Sequence, residues 1–325
     1  MIQQLSIKNF KSVKDLQVSC KKLNVFIGEP NSGKSNIIEA LSLQSQNTMG
    51  KELNKEMFRY KTIGNLFYDF NINTPIEVNT GEICTVLKYA VRENGVVENQ
   101  FDYFFDANKE KEKPGSISHE GIVLQRGNVG STNVHFYEYK RLYKFQNSFM
   151  PHLSVPFGEN IPTLLLSNPD LKKWVSELFR SFGYKLMLKP VEGEMSMTKE
   201  VDEELYEYPF FSISETLQRL IFYSLAIKSN KKSVLLFDEP ESNMFPFYIK
   251  DIAERITEDK TNQFFISTHN PYMLGSLLEK SNKNDIAVYI VKMENYQTVA
   301  KLCNQKQIEE LISLGSGLFF NLDNL

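Results

Sequence analysis

Gly28-Glu29-Pro30-Asn31-Ser32-Gly33-Lys34-Ser35 is the stretch on which the reading of this chain turns. It fits G-x-x-x-x-G-K-[ST], a loop that wraps phosphate groups. The apolar run Leu23-Asn24-Val25-Phe26-Ile27 precedes it and reads as a buried strand. A helical run from Lys34 to about Asn47 follows, with Ile37, Ile38 and Leu41 on one side. Strand, glycine loop and helix form the setting this motif needs. Gly28 and Gly33 let the backbone turn its N–H groups inward. Together with Asn31, Ser32, Asn36 and the helix N-terminus they make an anion site. Lys34 adds a mobile cation for the outer phosphates, and Ser35 offers a hydroxyl to Mg²⁺. A glycine turn carrying Gly-Lys-Ser by chance is the alternative, and the flanking strand and helix disfavour it.

Far downstream, Val234 to Phe237 is a short continuous apolar run of the kind found in buried parallel strands. Asp238-Glu239 ends it. Asp238 is placed to hold Mg²⁺, directly or through water. Glu239 is the candidate general base for an attacking water. Paired acids after a strand also occur in solvated turns, and the phosphate loop upstream favours the functional reading. Gln263 to Ser267 reads as another buried strand, ending at Thr268-His269. Ser214 stands where an amphipathic helix begins. Its hydroxyl and the first N–H groups of that helix can bind a phosphate, or form an ordinary cap.

Composition sets bounds on partners. The 325 residues are 42% hydrophobic and 24% charged, with a net charge of −3. The pI near 6.0 gives no global pull towards nucleic acid. Cys20, Cys84 and Cys303 lie far apart and form no metal-ligand set, which suits a reducing compartment. No apolar run reaches membrane-spanning length, and Met1 to Leu5 does not open a signal peptide. A soluble cytoplasmic protein without membrane contact is expected.

Taken in order, residues 2 to 10, 16 to 20 and 23 to 27 read as strands. From Glu82 to Phe105 alternating runs flank Asn94-Gly95, a hairpin signal. Lys109 to Gly115 reads as a solvated loop. A second hairpin is expected around Gly127 to Gly130, so 76–147 is read as an antiparallel β insertion. Within it, His135 to Phe145 mixes aromatic and basic residues. As one strand it aligns Tyr137, Tyr139, Arg141, Tyr143 and Phe145, a face that stacks bases or, as favoured here, packs into a core. Residues 163 to 182 read as a helix with Asp170 as a cap, and Val201 to Glu207 as an acidic surface loop. A second helix starts near Ser214 and buries Leu217, Leu220, Ile221 and Leu225. Residues 160–230 thus make a helical subdomain. Pro246 and Asn270-Pro271 open two further helices. Strands at 286 to 292 and 297 to 302 surround Glu294-Asn295, and a short helix from Lys306 stops at Gly315.

IKNFKS at Ile7 to Ser12, GEPNSGKSN, SISETLQR, LLFDEPESNMFP and FISTHNPYML together resemble an ABC-type ATPase of the SMC/RecF/OLD kind. Within that kind the chain is most similar to the small bacterial AAA-type ATPases of the OLD-like group. The resemblance implies an α/β P-loop head with a mixed β-sheet core as a single domain, 1–325, carrying the β insertion and a helical signature subdomain. It implies Mg²⁺-dependent ATP hydrolysis and a homodimer or higher homo-oligomer formed around ATP. It puts Lys11 near adenine and ribose and makes His269 a γ-phosphate sensor. It also has Ser214 read the γ-phosphate held by another protomer. Thr216 stands where the family has glycine and Asn243 where relatives often have histidine; Gln146 is a candidate for the glutamine that meets Mg²⁺. The long interval between the motifs lacks the sustained heptads of SMC arms. Too few residues follow His269 for the nuclease of OLD proteins, so a separate effector is expected, in a setting such as bacterial anti-phage defence. One alternative is a RecF-like DNA-binding ATPase of repair, which the acidic composition disfavours. Another is an ATP-dependent scaffold with negligible turnover, for which Thr216 and Asn243 leave room.

Overall fold

A computed structural model of the chain describes residues 1–45, 48, 50–91, 97–106, 108, 113–127 and 132–314. Strands β1 (Gln4–Phe10), β2 (Val13–Ser19) and β3 (Leu23–Ile27) lead into the glycine loop and helix α1 (Lys34–Ser42). A one-turn helix α2 (Lys55–Phe58) precedes β4 (Ile76–Asn79), β5 (Cys84–Val91) and β6 (Val97–Phe104). Then come β7 (Gly115–Ser118), β8 (Val123–Gln125) and β9 (Val134–Tyr137). Helices α3 (Ile161–Ser167) and α4 (Pro169–Ser181) are followed by β10 (Lys185–Lys189), β11 (Glu194–Val201) and β12 (Glu204–Pro209). Helix α5 (Glu215–Ser229), strand β13 (Val234–Asp238), helix α6 (Pro246–Glu258) and strand β14 (Gln263–Thr268) come next. Helix α7 (Pro271–Lys280), hairpin strands β15 (Ile286–Glu294) and β16 (Gln297–Leu302) and helix α8 (Gln305–Leu314) complete the order.

The chain packs as two units: Met1–Phe136 with Lys232–Glu239 and Gln263–Leu325, and Tyr137–Lys231 with Pro240–Asn262. The first unit holds two sheets. One is antiparallel, in the order β2-β1-β4-β5-β6-β7-β8. The other runs β16-β15-β3-β14-β13-β9, with β13, β14, β3 and β15 parallel and β16 returning antiparallel. All five residues of β3 and all six of β14 are buried, as strands covered on both faces must be. Helix α1 packs against both sheets through Ile37, Ile38 and Leu41, which are fully buried. Side chains of that size are worth about 1.5–3 kcal/mol each when removed from water, so α1 and the loop before it are firmly seated. The strands drawn from residues 76 to 125 continue the β1–β2 sheet, whereas β9 joins the parallel one.

The second unit gathers α3, α4, α5 and α6 and the three-stranded sheet β10-β11-β12. Its core includes Tyr137, whose hydroxyl donates to the Leu153 carbonyl and accepts from the Asn230 amide. The expected single helix over 163 to 182 is broken at Asn168. Pro169 has no N–H to donate and takes the first helical position, so Asn168, not Asp170, caps α4 by accepting from the Leu171 N–H at 3.1 Å. Val201 to Glu207 is not a loop. It is the β11–β12 hairpin, turning at Asp202-Glu203 with both residues at positive φ. Helix α1 ends at Ser42, short of Asn47, because Leu43, Gln44 and Ser45 donate to carbonyls three residues back. The Gln44 amide then leaves to meet the carbonyls of Val78 and Ile83. The turn expected at Asn94-Gly95, residues 128–130 of the one expected around Gly127 to Gly130, residues 109–112 of the loop expected over Lys109 to Gly115 and the stop at Gly315 lie outside the described residues.

The strand expected to run through residue 145 stops at Tyr137. Beyond it the aromatic and basic residues meet partners inside the second unit. Tyr139 donates to the Gln218 side chain at 2.9 Å and lies under the Arg219 guanidinium, 4.5 Å from the ring centre. Phe145 packs on Phe210 and Tyr143 on Phe211. Most of the proposed base-stacking face is thus spent on packing. Among the described residues, no helix is long and apolar enough to cross a membrane.

Candidate functional site

The C-terminal ends of three neighbouring parallel strands converge at the glycine loop: β3 feeds it, β13 ends at Asp238 and β14 at Thr268. Ser35, in the first turn of α1, donates its hydroxyl to Asp238 Oδ1 at 3.1 Å. Ser267 donates to the same carboxylate oxygen. Burial raises the pKa of Asp238, and the hydrogen bonds from Ser267 and Ser35 oppose that rise. A hydroxyl and a carboxylate side by side are hard oxygen donors. They fit Mg²⁺, which takes one or two protein oxygens and completes its shell with phosphate and water.

Glu239 is set by its backbone. Its φ of 45° is left-handed, and its N–H donates to both the carbonyl and the hydroxyl of Ser267, at 3.1 and 3.0 Å. This directs the side chain to His269, whose Nδ1 lies 2.8 Å from Glu239 Oε1. Carboxylate and imidazole therefore form one unit at adjacent strand ends, as a base and its orienting partner would. Both are accessible: the His269 side chain is 52% exposed and that of Glu239 33%.

The loop encloses Lys34. Its ammonium donates to the carbonyls of Gly28 and Glu29 at 2.9 and 2.8 Å, and the residue is almost wholly buried. Gly33 (φ 98°) and Asn31 (φ 62°) take the left-handed conformations that curl the loop over it. A cleft of about 470 Å³ opens beside the loop, lined by Glu29, Pro30, Asn31, Ser32, Val291 and Lys292. Asn36 donates to the Ser12 hydroxyl at 2.6 Å.

Lys11 is engaged by a residue the sequence did not single out. Its ammonium pairs with Glu39, a buried carboxylate on α1 that also holds Arg59. Both cations lie within electrostatic range of Asp238. Glu39 sits one helical turn after Ser35, so its side chain shares the face that carries the Ser35 hydroxyl. That spacing was the available signal, but Arg59 arrives from the end of α2 and no local pattern announces it. Removing Glu39 strands two cations, and Lys11 is only 13% exposed. Glu39→Ala is expected to lower the unfolding free energy by about 3 kcal/mol, the low end for a broken buried pair because Arg59 is half exposed. Denaturant melts check this; a loss below about 1 kcal/mol would mean that the cluster behaves as a solvated one.

Ser214 belongs to the second unit, at the start of α5. Its hydroxyl makes no capping bond to its own helix. Glu215 beside it collects Arg219 at 2.9 Å, Arg141 at 3.4 Å and the Asn243 amide at 3.3 Å. These contacts, Arg219 foremost, lower its pKa. Thr216 donates to the Asn243 carbonyl, so the two residues that depart from the family pattern meet each other.

A strand–glycine loop–helix unit, with an acidic pair ending a nearby parallel strand, defines a P-loop ATPase of the ABC-type fold. A solved structure agrees on that fold. The chain aligns with an SMC head, crystallised with the C-terminal winged-helix domain of ScpA, over 95% of its own length and 99% of that chain. The TM-score is 0.55 and the identity 17%. An "ATP/GTP phosphatase" of Helicobacter pylori is similar along its whole length, 19% identical over 98% of this chain. Residues 101–275, more than half the chain, match the family described as "AAA domain, putative AbiEii toxin, Type IV TA system", and residues 1–151 match an "AAA ATPase domain". The chain belongs to that AAA family and is an ATP-hydrolysing enzyme.

Proposed function

We propose that the chain is a Mg²⁺-dependent ATPase that associates through ATP and gates a separate effector in bacterial defence. In this reading the loop from Gly28 to Ser35 holds the triphosphate, with Lys34 exchanging its loop carbonyls for phosphate oxygens. Ser35 and Asp238 hold Mg²⁺, which when bound neutralises charge on the phosphates. Glu239 accepts the proton of the attacking water, and His269 orients Glu239 and senses the γ-phosphate. Lys11 stays committed to Glu39 and shapes the site from below α1. The whole chain, 1–325, acts as one OLD-like ATPase head, in the cytoplasm. The family's description, which names a "putative AbiEii toxin, Type IV TA system", supports a defence setting. The SMC head crystallised with a ScpA domain offers a precedent for an ATPase head that docks a second protein.

The observation that carries ATP-driven association is the uncommitted Ser214 hydroxyl at the N-terminus of α5. A capping serine ordinarily satisfies its own helix. Here the first N–H groups and the hydroxyl are left for an anion, and Arg219 and Arg141 offset the Glu215 charge next to it. Ser214→Arg should leave ATP binding by an isolated protomer intact and abolish nucleotide-dependent association. Light scattering with and without ATP, in the Glu239→Gln background that retains nucleotide, reads this out. Association that ignores both nucleotide and the substitution would refute the proposal.

A further inference from the structure

We infer that Thr298 is a positioning residue for the phosphate loop, acting from the β15–β16 hairpin on a carbonyl 266 positions away in sequence. Thr298 is 1% exposed, and its hydroxyl lies 3.1 Å from the Ser32 carbonyl oxygen and 2.6 Å from the Ser12 hydroxyl. Asn36 donates to that same Ser12 oxygen at 2.6 Å. The proton count fixes the direction of the chain. A carbonyl can only accept, so Thr298 spends its one proton on Ser32 and accepts from Ser12. Ser12 in turn accepts from the Asn36 amide. Asn36, Ser12, Thr298 and Ser32 thus form a one-way relay with each hydroxyl proton used once. The Thr298 N–H adds a bond to the Ser12 carbonyl at 2.7 Å, locking hairpin and β1–β2 turn together.

The relay matters because a trans peptide is planar, with its C=O and N–H on opposite sides. Holding the Ser32 carbonyl against the hairpin turns the Gly33 N–H the other way, into the loop where an anion is met. The hairpin also touches the loop at both of its glycines. A Cβ on Gly33 would lie 1.9 Å from Thr298 Oγ1, and one on Gly28 would lie 2.2 Å from the Val291 carbonyl oxygen. Glycine is required at these positions by the closeness of the hairpin as well as by φ. The loop is therefore clamped from outside at two points, and only the Thr298 point uses a side chain that can be exchanged.

This inference rests on the reading of Gly28 to Ser35 as the triphosphate loop, and the test separates the two. Thr298→Val removes the hydroxyl and keeps the shape; Thr298→Ser keeps the hydroxyl; Thr298→Ala is measured alongside in case the valine methyl crowds Ser12. With a fluorescent ATP analogue and steady-state phosphate release, Thr298→Val and Thr298→Ala are expected to raise Kd and KM about tenfold, the effect of losing a buried hydrogen bond that orders a ligand. kcat should stay within about threefold, since Glu239 and Asp238 are untouched. Thr298→Ser should restore wild-type KM. Wild-type affinity in Thr298→Val, or a Thr298→Ser as weak as Thr298→Val, overturns the inference, the second by assigning the effect to the methyl group's packing. Lys34→Ala is the control: if it binds ATP normally the loop reading itself falls, whereas its loss of binding beside a normal Thr298→Val condemns the positioning role alone.

Discussion

Glu239→Gln is expected to lower steady-state phosphate release by roughly 10²–10⁴-fold, the usual cost of losing a general base, while ATP affinity holds. The geometry makes the substitution clean. Glu239 is fixed by backbone bonds to Ser267, and these survive because they involve its N–H and not its side chain. The glutamine amide still reaches His269 across the 2.8 Å contact, so the pair keeps its shape and loses only the ability to accept a proton. Asp238 is left to face Ser35, and metal-dependent binding should be unchanged. The variant should therefore accumulate with ATP bound. Asp238→Asn is the contrast. It weakens the buried oxygen pair with Ser35 and should impair Mg²⁺-dependent nucleotide binding before it affects the chemical step. His269→Ala should fall between wild type and Glu239→Gln, because it removes the orienting partner and leaves the carboxylate. Phosphate release and filter-retained nucleotide, measured on all three, decide the matter. Release by Glu239→Gln at the wild-type rate would move the base elsewhere.

The parts of this machinery differ in how far the sequence reveals them. The glycine loop, the β3 and β14 strands and the acidic pair were legible because their signals are local: buried strands are continuous apolar runs, and the loop needs glycine at two positive-φ or crowded positions. The sheet β10-β11-β12 was not legible. Every residue of β12 is exposed, so it carries no burial alternation, and it is a strand only because its backbone pairs with β11. The break at Asn168 was written in the Asn-Pro dipeptide but masked by the apolar run through Leu164 and Leu165, which continues on the other side of it. In the candidate site, the loop and the acidic pair carry local signals and the residues that touch them do not. Ser267, Glu39, Arg59 and Thr298 come to the loop from four different places in the chain. Their roles arise from pairing across long sequence intervals, and hydropathy carries no record of that. His135 to Phe145 shows the converse: a strong local pattern of aromatic and basic residues that the second unit uses up in ordinary packing.

Lys34→Ala should abolish measurable ATP binding. Lys11 and Arg59, which interact with Asp238, are both bound to Glu39, and Lys11 is held there with little exposure. The Lys34 ammonium donates to two carbonyls of the loop, at 2.9 and 2.8 Å from Gly28 and Glu29. Exchanging neutral acceptors for phosphate oxygens is favourable, since an anionic oxygen adds ion–ion attraction to a bond that the carbonyl meets only with its dipole. In the alanine variant that attraction vanishes and the incoming anion meets two carbonyl dipoles in place of a cation. Losing two charge-assisted contacts to phosphate, at about 1.5–3 kcal/mol each, amounts to roughly 3–6 kcal/mol, or about 10²–10⁴ in Kd. Lys34→Arg should recover little. The guanidinium keeps the charge but is larger and planar, and the loop around Lys34 leaves the residue only 5% exposed. The alanine variant should fold normally, because the carbonyls it uncovers lie beside the open cleft along Glu29 to Ser32, where water can reach them. Titration of a fluorescent ATP analogue, with a thermal melt to confirm folding, gives the answer. A folded Lys34→Ala that binds within tenfold of wild type would show that the phosphates are held somewhere other than this loop.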